Sequence, residues 1–385
     1  MSKHYGHIET KCIHAGEPQP RLKGAVSMPV FQSSTFEYKG HSPEEKLTYI
    51  RLNNTLNHIA LHQKLAALES GEAALVSASG MAAISATLLT VLSTGDHFLA
   101  HESLYGGTYE FITRDLPLLG IGCDFIDGDD PHAWKDGLRP HTRAIYVETM
   151  SNPLLDIADL AAVVDFARDH GLVSIIDNTF ASPINFRPIE LGFDLSLHSG
   201  TKYLNGHSDI VAGAVVGRSE LIEKITSKLT RLGGSLDPHA CYLLHRGLKT
   251  LAVRVKAQNE SALRIATFLE QHPAVRTIHY PGLQSHPRHQ RARDLFDGFS
   301  GMLSFEPEGG VEGAEHFIRK TRLSIVAPSL GGVETLVTRP AITSHSGMSP
   351  EERARLRIPD SLIRISVGIE ATEDIIEDFE QALAA

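Results

Sequence analysis

The 385-residue sequence is poor in cysteine and has no long apolar runs. Its three cysteines, Cys12, Cys123 and Cys241, form no CxxC pair, and no group of His and Cys has metal-site spacing. So few thiols are typical of the reducing cytoplasm and indicate neither a disulfide framework nor a bound metal. The amino-terminal MSKHYGHIETK lacks the apolar core of a secretory signal. No apolar segment approaches the ~20 residues of a membrane span. We therefore expect a cytoplasmic protein without a membrane partner.

The chain is modestly acidic. Its formal net charge of −10 weighs against a nucleic-acid partner. The 21 histidines are scattered, and each one alone is better explained as a surface or hydrogen-bonded residue than as a ligand. With 42% hydrophobic and 21% charged residues, the composition is that of an ordinary globular protein, long enough for two domains.

What the chain does contain is an alternation of strand and helix patterns. Residues 1–48 are punctuated by proline and glycine and predict an extended N-terminal arm. Over residues 49–249, short apolar runs alternate with helical patterns, which predicts a large α/β domain with a mostly parallel central sheet. Residues 250–385 mix short strands with helices and predict a smaller C-terminal α+β domain. In such folds ligands bind outside the carboxyl ends of the strands.

The first strand end of interest is SASGMAA, residues 77–83. A strand ends, small residues expose backbone amides and a helix begins at once, which makes a site for an anion. The chain has no GxxxxGK[ST] and no GxGxxG, so neither a nucleotide P-loop nor a dinucleotide site is indicated. A small phosphate-bearing ligand fits this turn, and a tight turn without a ligand fits it equally well.

Two further strand ends each offer an ionisable residue that could act on a ligand. Asp177 closes the apolar run of IIDNTFASP, so it either serves a cationic partner or is a structural acid. Lys202 in LHSGTKYLNGHSD is either a covalent catalyst or a lysine that extends to solvent. Pyridoxal 5'-phosphate (PLP) would use all three features, because it needs a lysine, a carboxylate for its pyridine nitrogen and a phosphate cup. Tyr105 in LYGGTYEF offers a ring to cover the cofactor.

Long motifs in a fixed order then connect the sequence with a known family. They are TKCIHAGE, GAVSMPVFQSSTFEY, SASGMAA, LYGGTYE, ETMSNPLLDIADL, IIDNTFASP, HSGTKYLNGHSDIVAGAVV, APSLGGVETL and LIRISVGIE. Through them the chain resembles the cystathionine γ-synthase/γ-lyase (Cys/Met metabolism) family of fold-type-I PLP-dependent enzymes over nearly its whole length. The resemblance implies that family's α/β, PLP-transferase-like fold and PLP as the cofactor.

The resemblance also implies roles for residues that match the family's motifs. Lys202 and Tyr105 are the implied catalytic residues, with Lys202 as Schiff-base lysine and proton carrier, Tyr105 as stacking ring and Asp177 on the pyridine nitrogen. Further implied cofactor contacts are Gly80, Met81, Ser199, Thr201 and Asn152, with Tyr49 and Arg51 reaching over from a neighbouring subunit. The implied substrate contacts are Arg364 on the α-carboxylate, Ser329, Asn152, Glu334 and Glu110. Sites shared between subunits imply a homotetramer built as a dimer of dimers.

Several positions depart from the family or discriminate within it. The family usually has Tyr-x-Arg-x-x-Asn-Pro-Thr, but Thr55 and Leu56 replace the proline and the threonine, so this loop is expected to differ. Several members that handle cystathionine carry an arginine at the place of Glu110. Methionine γ-lyases usually have a cysteine at the place of Gly107 and generally lack the glutamate that Glu334 matches, which disfavours that activity.

These features imply γ-elimination or γ-replacement on a sulfur amino acid, through an internal aldimine with Lys202 and a vinylglycine-type intermediate. Activities of the cystathionine γ-lyase and γ-synthase types are favoured equally. The enzymatic alternatives are a β-eliminating C–S lyase and an O-acylhomoserine sulfhydrylase. A PLP-binding regulatory protein is the alternative from another class, although the intact set of Lys202, Asp177 and Arg364 argues against it.

Overall fold

The computed structural model describes residues 5–38, 40 and 47–384, and its largest layer is a seven-stranded sheet. The strands of this first sheet are β1 Ala73–Ser77, β2 His97–His101, β3 Gly122–Ile126, β4 Thr142–Glu148, β5 Val173–Asp177, β6 Leu195–Ser199 and β7 Gly213–Gly217. Their order is β1-β7-β6-β5-β4-β2-β3, with β7 antiparallel to β1 and β6 and the other neighbours parallel. The prediction of a mostly parallel sheet is confirmed, and the carboxyl ends of β4, β5 and β6 meet at one edge.

Helices cover both faces of the first sheet. The helices of the described residues are α1 Ile8–His14, α2 Leu56–Glu69, α3 Gly80–Val91, α4 Gly106–Glu110, α5 Pro131–Asp136, α6 Leu160–His170, α7 Ser182–Asn185, α8 Pro188–Leu191, α9 Ser219–Leu232, α10 Pro238–Leu248, α11 Leu251–Gln271, α12 His289–Leu295, α13 Gly310–Lys320, α14 Pro350–Arg355 and α15 Thr372–Leu383. Helices α2 and α6 contribute apolar side chains to the core on one face, and α3 and α9 to the core on the other.

Helix α6 shows how local sequence builds these layers. The side chain of Asp159 accepts the backbone N–H of Ala162 at 3.0 Å and so caps the first turn. Gly171 ends the helix with a φ of 64°, a conformation that glycine adopts without strain. Between these signals, Val163 and Phe166 are buried against the sheet, because apolar residues recur on one side of the helix.

A second, five-stranded sheet lies in the carboxyl-terminal part of the chain. Its strands are β8 Val275–His279, β9 Met302–Pro307, β10 Ile325–Val326, β11 Leu336–Thr338 and β12 Ile363–Ser366. Helices α11, α13 and α15 pack on it around a core of its own. Leu251, Ala252 and Val255 at the start of α11 belong to the core of the first sheet, and the domain boundary at 249/250 stays a prediction.

The amino-terminal arm differs from the extended segment that the sequence predicts, because α1 lies within it. Residues 1–4, 39 and 41–46 of this arm are outside the described residues. The helix forms where tertiary contacts hold it: Cys12 is buried, and Nζ of Lys64 on α2 donates to the carbonyl oxygens of Cys12 at 2.8 Å and Ile13 at 3.3 Å.

The described ranges contain neither a membrane-spanning helix nor a cluster of metal-ligating side chains. No helix there combines the length and the apolarity that a bilayer crossing requires. Nor do three or more His, Cys, Asp or Glu side chains gather there as metal ligands.

Candidate active site

A cavity of about 600 Å³ lies at the carboxyl ends of β4, β5 and β6. Most of the residues proposed from the sequence line it, and these are Lys202, Asp177, Tyr105, Gly80, Met81, Ser199, Thr201, Asn152, Ser329 and Arg364. They are far apart in the chain and meet because neighbouring strands end at the same edge of the sheet.

Lys202 lies in the turn that follows β6. Its backbone N–H donates to the carbonyl of Ser199 at 3.1 Å, and its own carbonyl accepts the N–H of Gly206 at 2.8 Å. Its Nζ donates to Oγ of Ser329 at 2.7 Å and forms no ion pair with a carboxylate of the described residues. Burial, together with the nearby charge of Arg364, lowers the pKa of Lys202 to about 8. The neutral, nucleophilic form of the amine is therefore accessible far below the pH that an exposed lysine requires.

Asp177 ends β5 and faces the same cavity. Its Oδ1 accepts the backbone N–H of Thr179 at 2.9 Å, and within the described ranges no Lys, Arg or His forms a salt bridge with it. Burial raises the pKa of Asp177, while the hydrogen bonds from Thr179 and the charge of His198 oppose that rise. A cationic group in the cavity would stabilise this carboxylate, and a protonated pyridine nitrogen is such a group.

The first turn of α3 forms one end of the cavity. Oγ of Ser79 accepts the N–H of Ala82 at 3.0 Å, which leaves the amides of Gly80 and Met81 without an acceptor among the described residues. A Cβ at Gly80 would come within 3.0 Å of Cβ of Ser199, so glycine lets the helix approach the end of β6 this closely.

The two hydroxyls predicted for a phosphate cup differ in their contacts. Ser199 lines the cavity next to α3. Oγ1 of Thr201 accepts the N–H of Ala212 at 3.0 Å and lies 3.2 Å from the carbonyl oxygen of the same residue. Thr201 thus lines the cavity with a hydroxyl that already forms hydrogen bonds with the backbone of Ala212, just before β7.

Tyr105 precedes α4 and contributes an aromatic ring to the cavity. Its backbone N–H donates to Oε1 of Glu148 at 2.7 Å, and 43% of the residue is exposed. A Cβ at Gly107 would lie 2.7 Å from Cε1 of this ring, which is closer than van der Waals contact. Glycine at this position therefore avoids a clash with the ring.

Arg364 lies on β12 and reaches the cavity from the second sheet. Its Nη1 donates to Oδ1 of Asn152 at 3.0 Å, and its Nη2 donates to the carbonyl of Ser329 at 3.0 Å. Burial lowers the pKa of Arg364 to about 10, so the guanidinium stays charged at neutral pH. It has no carboxylate partner among the described residues, so it can bind the carboxylate of a ligand.

The remaining predicted residues lie outside this cavity. Glu334 lines a neighbouring cavity of about 570 Å³, which shares Thr201 and Ser329 with the first, and its Oε2 accepts from Oγ of Ser208 at 3.3 Å. Glu110 belongs to the lining of neither cavity: its side chain is 43% exposed, 3.8 Å from Nη1 of Arg114.

Tyr49 and Arg51 are also absent from the cavity of their own chain. Nη1 of Arg51 donates to the carbonyl of Thr230 at 3.3 Å, and its guanidinium carbon lies 5.7 Å from the ring centre of Tyr49.

Sequence reasoning missed several residues that line the cavity. Glu148 ends β4 beside Asp177, and the rule that led to Asp177 could have found it. Thr343 and Ser344 come from an irregular segment before α14 whose sequence carries no comparable signal.

The residues that line the cavity fit the phosphate, the pyridine ring and the aldehyde of PLP. Free amides of α3 and Ser199 suit a phosphate, Asp177 suits the pyridine nitrogen and Lys202 suits the aldehyde. Tyr105 offers its ring to stack on the cofactor.

Known proteins resemble this chain over nearly its whole length. The family model for the Cys/Met metabolism PLP-dependent enzyme matches residues 9–384. A cystathionine gamma-lyase of Bacillus subtilis is 44% identical, with 97% of this chain and 98% of that protein covered. An L-methionine gamma-lyase of Treponema denticola is 39% identical, with 97% and 96% covered. The crystal structure of a cystathionine gamma-lyase from Lactobacillus plantarum complexed with L-serine superimposes with a TM-score of 0.94 at 39% identity, covering 98% of both chains.

Proposed function

Because the chain belongs to the family of PLP-dependent enzymes of Cys/Met metabolism, we propose that it catalyses γ-elimination or γ-replacement on a sulfur amino acid of the cystathionine type. The observation that carries this proposal is the meeting of Lys202, Asp177 and Arg364 in one cavity. PLP chemistry on an amino acid requires a lysine, an acid for the pyridine nitrogen and a cation for the substrate carboxylate, and Arg364 has no carboxylate partner among the described residues.

PLP, when bound, withdraws electrons from Cα of an amino acid and so makes its Cα proton acidic. Lys202, Asp177, Tyr105, Gly80, Met81 and Ser199 would hold it. The fork of Arg364 grips the substrate α-carboxylate with two parallel hydrogen bonds, which orients Cα towards Nζ of Lys202. With its lowered pKa, Nζ of Lys202 accepts the Cα proton and carries protons between Cα, Cβ and the departing group.

The neighbouring cavity supports a substrate that is charged at its far end. Glu334 and Asp209 line it, and no Lys or Arg of the described residues does. Acidic walls favour an ammonium group. Cystathionine carries one at its distal end beside a carboxylate, and methionine carries neither group there. Elimination across Cβ and Cγ of cystathionine, with uptake of water, would then yield cysteine, 2-oxobutanoate and ammonia.

We further propose a homotetramer with shared active sites, as the family resemblance implies. Tyr49 and Arg51 lie outside the cavity of their own chain, which supports a role at the site of a neighbouring copy. A cytoplasmic location is proposed as well, because Cys12, Cys123 and Cys241 are all free thiols.

The test compares the purified protein with its Lys202→Ala variant on a panel of substrates. The wild type should show the visible absorption of bound PLP and release a 2-oxo acid from L-cystathionine. The variant should lose both, because no other lysine lines the cavity within the described ranges. Lys224→Ala, at an exposed lysine paired with Glu220, is the matched control and should keep both.

The products separate the alternatives. Release of 2-oxobutanoate from cystathionine supports γ-cleavage, and release of pyruvate instead supports the β-eliminating alternative. A coloured protein that acts on none of L-cystathionine, L-cysteine and L-methionine contradicts a lyase, and cysteine addition to O-acylhomoserine is then measured. Failure of that reaction too would favour the regulatory alternative.

A further inference from the structure

Glu148 forms an acidic pair with Asp177 that the proposed chemistry uses only in part. The two residues are directly opposite each other at the ends of the parallel strands β4 and β5, and both line the cavity. Glu148 is 6% exposed. Among the described residues, no Lys, Arg or His forms a salt bridge with either carboxyl group. No cation of the described residues therefore pairs directly with either carboxyl group, although Lys202 and Arg364 line the same cavity.

One oxygen of Glu148 holds the backbone from which the stacking ring projects. Oε1 accepts the N–H of Tyr105 at 2.7 Å, and this N–H lies just before α4, where no helical carbonyl can accept it. The ring of Tyr105 lines the cavity beside the pair. Glu148 consequently holds the backbone from which the ring extends into the cavity.

Adjacent enclosed carboxyl groups cannot both carry a negative charge without a large cost, so one holds a proton. The titratable groups around Glu148 are Tyr146 on its own strand, Tyr105 before α4, Asp177 on β5, and Lys202 and Arg364 across the cavity. Burial and the neighbouring charge of Asp177 raise the pKa of Glu148 well above its usual range.

The opposing contacts favour charge on Asp177 rather than on Glu148. Burial also raises the pKa of Asp177, but the hydrogen bonds from Thr179 and the charge of His198 oppose that rise. Glu148 has only the hydrogen bond from the Tyr105 backbone in that direction. These contacts favour the proton of the pair on Glu148.

We propose that Glu148 is a positioning residue that acts as a neutral acid. Its carbonyl oxygen accepts the backbone N–H of Tyr105, and because Glu148 stays protonated, Asp177 carries the negative charge of the pair. This inference rests on the proposed roles of Tyr105 and Asp177. It goes beyond them because it gives the site a second acid, which holds the backbone of Tyr105 and leaves Asp177 as the charged member of the pair.

Glu148→Gln is the decisive substitution, because an amide keeps the acceptor and the neutral charge. Infrared difference spectra between the wild type and Glu148→Gln at neutral pH should show the C=O stretch of a protonated carboxyl group. This band should be present in the wild type and absent from the variant. The variant should bind PLP with a dissociation constant within about twofold of wild type. Its visible circular dichroism, which reports the surroundings of the bound cofactor, should be unchanged.

Glu148→Ala removes the acceptor and should raise the PLP dissociation constant about tenfold, with altered visible circular dichroism. Glu102→Gln, at a half-buried carboxyl group outside the cavity, is the matched control and should keep the infrared band. If Glu148→Ala does not fold, the infrared band of the wild type and the PLP affinity of Glu148→Gln still test the proposal.

Three results would overturn the inference. One is the absence of the infrared band from the wild type, the second is a PLP affinity of Glu148→Gln that falls by tenfold or more, and the third is wild-type binding and dichroism in Glu148→Ala. A wild type that binds no PLP would instead contradict the proposed function, so the two failures are distinguishable.

Discussion

Replacing Gly107 by alanine tests how tightly the stacking ring is packed. A Cβ at this position would lie 2.7 Å from Cε1 of Tyr105 and 3.3 Å from Sδ of Met81. Carbon atoms in contact are normally about 3.5–4.0 Å apart, so the ring must move by about 1 Å. The backbone of Tyr105 is held by Glu148, and the displacement therefore falls on the ring itself.

The expected loss of PLP affinity follows from the stacking contact that the Tyr105 ring contributes. An aromatic stacking contact is worth about 0.5–1.5 kcal/mol beyond its buried area. Its loss should raise the PLP dissociation constant about two- to tenfold. The assay titrates cofactor-free protein with PLP and follows visible absorption and circular dichroism, with thermal unfolding as a check on the fold.

Gly6→Ala serves as the control, since an added Cβ there meets no atom within 4 Å. If Gly107→Ala binds PLP with wild-type affinity and an unchanged dichroism spectrum, the contact with Gly107 does not set the ring position.

Three further predictions concern other parts of the molecule. Arg364→Lys should raise KM for amino-acid substrates about tenfold or more in steady-state kinetics, because an ammonium group cannot make two parallel hydrogen bonds; an unchanged KM would show that the substrate carboxylate binds elsewhere. Capture of PLP by cofactor-free protein, followed by stopped-flow absorbance, should rise with pH and be half-maximal near pH 8, where Lys202 loses its proton; a midpoint near pH 10 would contradict the lowered pKa. Lys64→Met leaves the carbonyls of α1 unpaired and should lower the free energy of unfolding by about 1–3 kcal/mol in urea. Lys256→Met, at an exposed pair with Glu9, should change it by less than about 0.5 kcal/mol, and equal losses in both variants would refute this account.

Much of the site could be predicted because its signals are local. The run before Asp177, the small residues of SASGMAA and the turn around Lys202 each combine a strand with the residues that end it. Parallel strands bring such ends to one edge whatever the details of packing. The family motifs then added Arg364, which no local pattern would have singled out.

Other features could not be predicted because they depend on side-chain direction and on distant partners. Glu110 follows Tyr105 closely in sequence, yet it lines neither cavity and lies against Arg114. The helix α1 forms in a segment without clear periodicity, since burial of Cys12 and the amine of Lys64 stabilise it from outside.

The fold class, the family, the cofactor and the three strand ends that line the cavity could be inferred from the amino-acid sequence, because they depend on short patterns and on their order. The distribution of charge within the cavity depends on the folded structure. The proposed role of Glu148 depends on Asp177 beside it and on the Tyr105 backbone N–H that it accepts. Burial and neighbouring charge act through space, and they set the protonation of a residue by what surrounds it after folding rather than by its neighbours along the chain.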